Sequence, residues 1–257
     1  MKLVDTHCHL TTFSEEELPV ALSNAKSCHV SNYICIGASE GIASARKACL
    51  LADAHTSIWA SIGVHPHDAG SFVSLDEIKD LAAHKKVLAI GETGLDYFRE
   101  WAPFDAQRQL FLNSIALAKE VKKPLIIHCR DAHDDTLEIL KREGASQVGG
   151  VFHCYAETAE FAKKLADINF KVSLTGIITF KNAHPLREEI SKIPLTQIML
   201  ETDCPYMAPE PFRGGKSEPK HVFQIALKLA EIKQIDISEV ARITTKNAEE
   251  LFSFEAI

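Results

Sequence analysis

His7-Cys8-His9 stands directly behind the apolar pair Leu3-Val4 and Asp5, near the start of the chain. Side chains of a strand repeat every second residue, so both imidazoles point to one face. Two neutral nitrogen donors side by side suit a divalent ion such as zinc, manganese or iron. The same grammar recurs downstream. Val87-Leu88-Ala89-Ile90-Gly91 ends in Glu92, Leu125-Ile126-Ile127 in His128, Val151-Phe152 in His153, and Ile198-Met199-Leu200 in Glu201-Thr202-Asp203. An ionisable group at a strand end destabilises the fold unless it is paired or bound to something. His7, His9, Glu92, His128, His153 and Asp203 together offer four imidazoles and two carboxylates. That set is enough for two metal ions sharing a bridging carboxylate.

The elements that must position these groups follow from the hydropathy pattern. Eight strand candidates occur: Leu3 to His7, Tyr33 to Gly37, Ile58 to Val64, Val87 to Glu92, Leu125 to His128, Val151 to His153, Lys171 to Thr175 and Ile198 to Asp203. Most are near-continuous apolar runs, as in strands covered by helices on the outside. Amphipathic stretches separate them. Ser14-Glu15-Glu16-Glu17 has the form of a capping box before Val20, Leu22 and Ala25. Asp105 precedes Leu110, Ile115, Ala118 and Val121; Asp131 or Asp134 precedes Leu137 and Leu140; Thr158 precedes Phe161, Leu165 and Ile168. Val222, Ile225, Ala226, Leu229 and Ala230 form a last helical stripe. Strict alternation in this number predicts an α/β fold, a (β/α)8 TIM barrel. A doubly wound open sheet is the competitor, but no G-x-G-x-x-G or phosphate-loop pattern follows any strand. In the barrel, the six ligand candidates sit at the C-terminal ends of strands one, four, five, six and eight, the face that carries barrel active sites.

Composition agrees with this picture. A chain of 257 residues, 46% hydrophobic, can bury one large core, and a single domain over residues 1–257 is expected. No segment is of low complexity and no fixed-period repeat occurs. No N-terminal apolar signal is present and no apolar run approaches the ~20 residues of a membrane span. A cytoplasmic protein with no membrane association and no obligate protein partner is expected. Seven cysteines, none in C-x-x-C spacing, fit reduced thiols in the core. Cys8, Cys129, Cys154 and Cys204 each follow a ligand candidate by one residue, so alternation turns the strand cysteines toward the helices; the competing reading adds Cys8 to the metal site as a soft ligand. The formal charge of −7 disfavours wholesale binding of duplex nucleic acid while allowing a local basic mouth.

With these residues in view, the chain resembles the TatD family of metal-dependent deoxyribonucleases, a branch of the amidohydrolase-like barrels. The motifs are Val4-Asp5-Thr6-His7-Cys8-His9-Leu10, Gly63-Val64-His65-Pro66-His67, Ile90-Gly91-Glu92-Thr93-Gly94-Leu95-Asp96-Tyr97, Pro124 to His128 with Arg130-Asp131-Ala132, His153-Cys154-Tyr155, Leu200-Glu201-Thr202-Asp203-Cys204-Pro205-Tyr206 and Thr245-Lys246-Asn247-Ala248. They span nearly the whole chain. The resemblance implies a barrel with two divalent cations, Mg²⁺, Mn²⁺ or Zn²⁺. It implies that His7 and His9, with Glu92 and Asp203, hold one ion, and that His128 and His153, with Glu92, hold the other, about 3.5–4 Å away. Two departures from the family pattern fall in loops: Ala156-Glu157 stands where a small residue and Gly are usual, and Arg213-Gly214-Gly215-Lys216-Ser217-Glu218-Pro219 has Ser217 in place of Asn with its basic residues moved.

The implied activity is hydrolysis of phosphodiester bonds in single-stranded DNA, cut from an end, by metal-activated water. Asp203 is expected either to accept the proton or to act purely as a ligand, and Glu92 is expected at the catalytic centre. Glu201, two residues before Asp203, is read as support for the ligands or as half of a buried ion pair. His65 and His67 either contact phosphate or the leaving group, or decorate a rigid turn at Pro66. Arg99, Arg130, Lys181, Arg213 and Lys216 fall in βα loops and could form an anion-binding rim; Tyr155, Tyr97 and Phe98 could stack unpaired bases. Two other functions remain open on sequence grounds: hydrolysis of an amide or ester, as by an aminoacyl-tRNA deacylase, and a non-catalytic metal-stabilised nucleic-acid-binding scaffold.

Overall fold

The computed structural model describes residues 1–39, 41–70 and 75–254. Among them lie eight strands: β1 (Leu3–Cys8), β2 (Val30–Gly37), β3 (Ile58–Ile62), β4 (Val87–Asp96), β5 (Leu125–Arg130), β6 (Gly150–Phe152), β7 (Phe170–Leu174) and β8 (Ile198–Leu200). Helices follow them in turn: α1 (Glu17–Ser27), α2 (Ile42–Ala54), α3 (Leu75–Ala82), α4 (Phe104–Val121), α5 (His133–Arg142), α6 (Ala159–Ala166), α7 (His184–Lys192) and α8 (Val222–Lys233), with α9 (Ile237–Phe252) added at the end. The strands form one sheet in chain order from β1 to β8. Cys8, at the end of β1, pairs in parallel with Cys204 just beyond β8. A chain-order sheet whose first strand meets its last is the expected (β/α)8 barrel topology. No described helix is long and apolar enough to cross a membrane.

Two compact units make up the chain. The first comprises Met1–Ile34, Cys154–Ala166 and Lys171–Ile257. In it β7 pairs in parallel with β8 through Val172↔Ile198, Ser173↔Met199 and Leu174↔Leu200. Helix α8 buries Val222, Ile225, Ala226, Leu229 and Ala230, the stripe expected from the sequence. Helix α9 packs on β1 and β8. Thr245 Oγ1 donates to the Lys2 carbonyl at 3.0 Å, and Asn247 Nδ2 to the carbonyls of Leu195 (2.9 Å) and Ile198 (2.7 Å). The Thr245-Lys246-Asn247 motif therefore anchors α9 to the N-terminal starts of β1 and β8, where a barrel keeps its stability contacts. The capping box forms, Ser14 N–H donating to Glu17 and Glu17 N–H to Ser14 Oγ. The helix behind it buries Leu18, Ala21 and Ala25, while Val20 is exposed. That corrects the expected face by the phase the cap imposes.

The second unit comprises Cys35–His153 and Asp167–Phe170, and in it β3, β4, β5 and β6 pair in parallel. Two of its strands extend further than the apolar runs suggest, while β3 ends at Ile62 and β6 at Phe152, short of the expected Val64 and His153. β4 continues past Glu92 to Asp96 and β5 past His128 to Arg130, after a register shift between Ile90 and Thr93. Gly94, at φ +139°, pairs with His128, and a Cβ there would fall on the His128 carbonyl oxygen. Only glycine allows β4 so close to β5 at this position. Helix α4 buries Phe111, Ser114, Ile115 and Ala118 and ends at Lys122 in the left-handed region. All seven cysteines are free thiols.

Candidate metal centre

In the second unit, the Glu92 carboxylate is the focus of an imidazole cluster. Its Oε1 lies 2.8 Å from His153 Nε2, 3.0 Å from His128 Nδ1 and 3.3 Å from His65 Nε2. The opposite nitrogen of His128, Nε2, reaches Asp96 Oδ2 at 3.0 Å, and His67 Nε2 reaches the same oxygen at 2.7 Å. Asp96 Oδ1 accepts the backbone N–H groups of Phe98 (3.0 Å) and Arg99 (2.8 Å). Residues 92 and 96 share a strand face because the side-chain period is two, which is how both carboxylates meet one imidazole.

Charge explains the arrangement. Burial alone would raise the Glu92 carboxyl, but the imidazoles of His153, His65 and His128 bring it well below the usual carboxylate range. Burial likewise opposes the charged form of His128, yet its hydrogen bonds to Asp96 and Glu92 raise it above the ordinary imidazole value. Asp96 is lowered in the same way, burial being outweighed by His128, the Arg99 N–H and His67. For His67, burial and the nearby His65 prevail and lower its affinity for a proton.

Two triads in this unit could hold a cation: Glu92-His128-His153 and His65-His67-His128. Tautomers favour the first. His65 Nδ1 accepts the His67 N–H at 3.1 Å, so the ring carries its proton on Nε2 and presents a donor. His67 is committed to Asp96. The donor set Glu92, His128 and His153, with Asp96 behind His128, is the carboxylate–imidazole pattern of metal sites with a supporting outer carboxylate.

The first unit carries a second group. His7 Nε2 and His9 Nε2 lie 3.3 Å apart, and Asp203 Oδ1 is 3.6 Å from the former and 3.3 Å from the latter. Backbone bonds hold these residues: Asp203 N–H donates to the His7 carbonyl (2.9 Å), and His9 N–H to that of Cys204 (2.8 Å). Asp203 sits at φ +55°, a left-handed conformation that Asp tolerates better than most residues. Beneath it, the buried Asp5 accepts the Thr202 N–H at 2.9 Å and the Thr202 hydroxyl at 2.6 Å. Burial pushes the Asp5 carboxyl up to about 8 against those bonds. The buried Glu201 accepts the Cys154 N–H at 2.6 Å and the Ser173 hydroxyl. Its role is to fix backbone next to ligand candidates.

Other expectations sort clearly. The cysteines behave as core residues: Cys8 donates to the Ile34 carbonyl and Cys129 to Thr136. Tyr155 is a correction, being buried with its hydroxyl donating to the Thr158 carbonyl at 2.6 Å, so it has no face for a base. Tyr97 is tied to Asp135 at 2.8 Å. Lys216 pairs with Glu17 at 2.9 Å and covers Phe13, which removes it from an open rim. Ser217, the departure in the 213–219 loop, is buried near His221, so that change acts on loop packing. Phe98, Arg99, Arg130, Lys181 and Arg213 are exposed or half-exposed. Sequence reasoning missed Asp5, Asp96, Gln107 and Trp101 as supporting residues; Asp96, two strand repeats beyond Glu92, carried a usable signal.

A chain-order (β/α)8 sheet whose strand C-terminal ends carry imidazoles and carboxylates has the make-up of a metal-dependent hydrolase. Residues 4–253 match the family described as TatD related DNase. The chain belongs to the TatD family and is a TatD-type metal-dependent hydrolase. It is 43% identical over 253 residues to the uncharacterized metal-dependent hydrolase YabD of Bacillus subtilis, covering 97% of this chain and 98% of that one. It is 36% identical over 258 residues to the uncharacterized metal-dependent hydrolase YcfH of Escherichia coli, covering 100% and 97%. Among solved structures, the TatD homologue YjjV of E. coli superposes with a TM-score of 0.92 at 28% identity, covering 98% of each chain.

Proposed function

We propose that this hydrolase is a phosphodiesterase that cuts single-stranded DNA from an end, with divalent cations held by Glu92, His128 and His153 and by His7, His9 and Asp203. The donor set fits such ions: in each group, imidazole nitrogens and a carboxylate oxygen converge within hydrogen-bonding or ion-pairing distance. Bound there, the cations would supply activation of water and neutralise charge on the phosphoryl oxygens. The chain's own residues do the rest. Asp203, aimed by its N–H bond to His7, takes the proton of the attacking water. Asp96 fixes the His128 ring, and His65 presents an Nε2–H donor beside Glu92.

The observation that carries a phosphodiester over a carbonyl substrate concerns the eight arginines. Arg46, Arg108, Arg142 and Arg242 pair with carboxylates, and Arg187 donates to the carbonyls of Ile178 and Phe180. Arg99, Arg130 and Arg213 have no carboxylate partner among the described residues; Arg130 ends β5, Arg99 stands three residues past β4, and Arg213 lies in the long segment between β8 and α8. Uncompensated guanidinium groups at strand C-terminal ends suit phosphate. The family's description as DNase-related supports the same substrate. The test is to add Mg²⁺, Mn²⁺ or Zn²⁺ to metal-stripped protein with end-labelled single-stranded DNA. A metal-dependent ladder is expected. DNA left intact under every metal, with turnover of an aryl ester or an aminoacyl-tRNA instead, would overturn the proposal.

A further inference from the structure

We infer that the loop joining β4 to α4 is a preformed surface for an unpaired nucleotide, with Phe98 and Trp101 stacking on the base and Arg99 and Arg130 contacting its phosphates. This deepens the phosphodiesterase reading and rests on it.

Exposure is the first argument. Among the described residues, the exposed Phe, Tyr and Trp side chains are Phe98 (54%), Trp101 (65%), Tyr206 (58%) and Phe212 (43%). All four follow the ends of β4 or β8, and none lies on the helices. Large rings left in water at such positions mark contact surfaces. Phe98 and Trp101 share one short loop.

The loop is also held rigidly. Asp96 accepts the N–H groups of Phe98 and Arg99. The fully buried Gln107 accepts the Asp96 N–H (2.8 Å) and donates to the carbonyls of Asp96 (3.0 Å) and Ala102 (3.1 Å), clamping both ends. Little conformational freedom would be lost when a ligand binds.

The ring environment then selects the ligand. The Arg130 guanidinium lies 3.7 Å from the Phe98 centroid, and that of Arg99 lies 4.9 Å from the Trp101 ring. Neither has a carboxylate partner among the described residues. Aromatic rings beside guanidinium groups that no carboxylate neutralises grip a single strand, because paired bases have no face to offer. Glu100 and Asp131, exposed alongside, limit the surface to one or two phosphates rather than a long tract of backbone. Trp101 stands edge-on to His67 with centroids 4.4 Å apart, and the His67 ring lies 5.8 Å from that of His128. A base on Trp101 is therefore one imidazole away from a candidate metal ligand, so its own phosphate falls beside the reacting centre.

The chain has two tryptophans, and the other, Trp59, lies on β3 under Lys86 at 4.0 Å. Titrating metal-free protein in EDTA with oligothymidylate should quench Trp101 fluorescence saturably. By anisotropy of labelled oligothymidylate, Trp101→Ala should weaken binding about tenfold and Trp101→Phe should restore most of it. Arg130→Gln should lower the slope of log K against log salt by about 0.7, while Arg46→Gln, on α2, should change neither readout. Undiminished affinity in Trp101→Ala, with unquenched fluorescence, would overturn the surface. Wild-type protein with Mn²⁺ is assayed separately on bis(4-nitrophenyl) phosphate, a diester with no base. Turnover there without Trp101 quenching sinks the surface and leaves the phosphodiesterase reading standing; quenching without turnover under any metal sinks that reading and leaves a nucleotide-binding surface.

Discussion

The two ligand groups are assembled by different physics. His7, His9 and Asp203 are held by main-chain bonds between the ends of β1 and β8, with Asp5 and Thr202 locked beneath them. Glu92, His128 and His153 are held by one another's charges, with Asp96 as the outer anchor. Backbone bonds do not titrate, so the main chain of the first group is pre-shaped without a cation. The second balances anionic carboxylates against an imidazole held above its ordinary proton affinity, and it changes when a proton or a cation arrives. One site-building strategy supplies geometry, the other supplies response.

That contrast is tested most severely by removing one carboxylate from each group. Glu92→Gln and Asp203→Asn should each reduce turnover by about a thousandfold, since a lost ligand removes several kcal/mol of Lewis-acid stabilisation. Asn is chosen at 203 because it tolerates the left-handed backbone there. Only Glu92→Gln should also shift the melting temperature of the metal-free protein strongly, because its imidazoles lose a shared partner. Equal shifts in the two variants would erase the distinction.

Asp96→Asn, which leaves every direct ligand in place, should weaken metal binding about ten- to a hundredfold in a calorimetric titration. Thr202→Val removes the 2.6 Å bond to the buried Asp5 and should cost about 1–3 kcal/mol in urea unfolding. Metal affinity at Glu92, His128 and His153 should change little in that variant.

The smallest effect is the pH response. His128 is raised from 6.5, so its contribution to metal-free stability is complete below 6.5 and fades as pH rises through the raised value. Glu92 is lowered from 4.5, so its contribution is complete above 4.5 and fades as pH falls through the lowered value. Asp96 is lowered from 3.8, so the melting-temperature gap between wild type and Asp96→Asn should be widest between about 3.8 and 6.5 and narrow on the alkaline side. Stabilisation by added metal should grow with pH over the same alkaline range, because binding must displace the His128 proton.

Much of this was legible in the sequence because strand ends in a barrel combine apolar runs with a single chemical residue. The runs before Glu92, His128 and Asp203 marked strands, and the chain-order topology followed from their alternation with helices. Strand length was less legible. Gly91, Thr93 and Gly94 interrupt the apolar pattern, so β4 read as ending at Glu92, although the glycines serve its close approach to β5. That shortened strand hid Asp96. The α1 face was misread because Val20 looks like core by type, while the capping box sets Leu18, Ala21 and Ala25 inward. Tyr155 could not be told from an exposed stacking residue, since its burial depends on a loop that closes through its own hydroxyl. Trp101 was overlooked because it stands outside every motif; what distinguishes it is exposure.

The most direct test of the account is a calorimetric titration of metal-stripped protein with Mn²⁺, repeated on Glu92→Gln and Asp203→Asn. Two ions per chain in the wild type, with at least one lost or greatly weakened in each variant, is the predicted result. Saturable binding that neither substitution changes, or no binding at all, would contradict the assignment of both groups as cation sites.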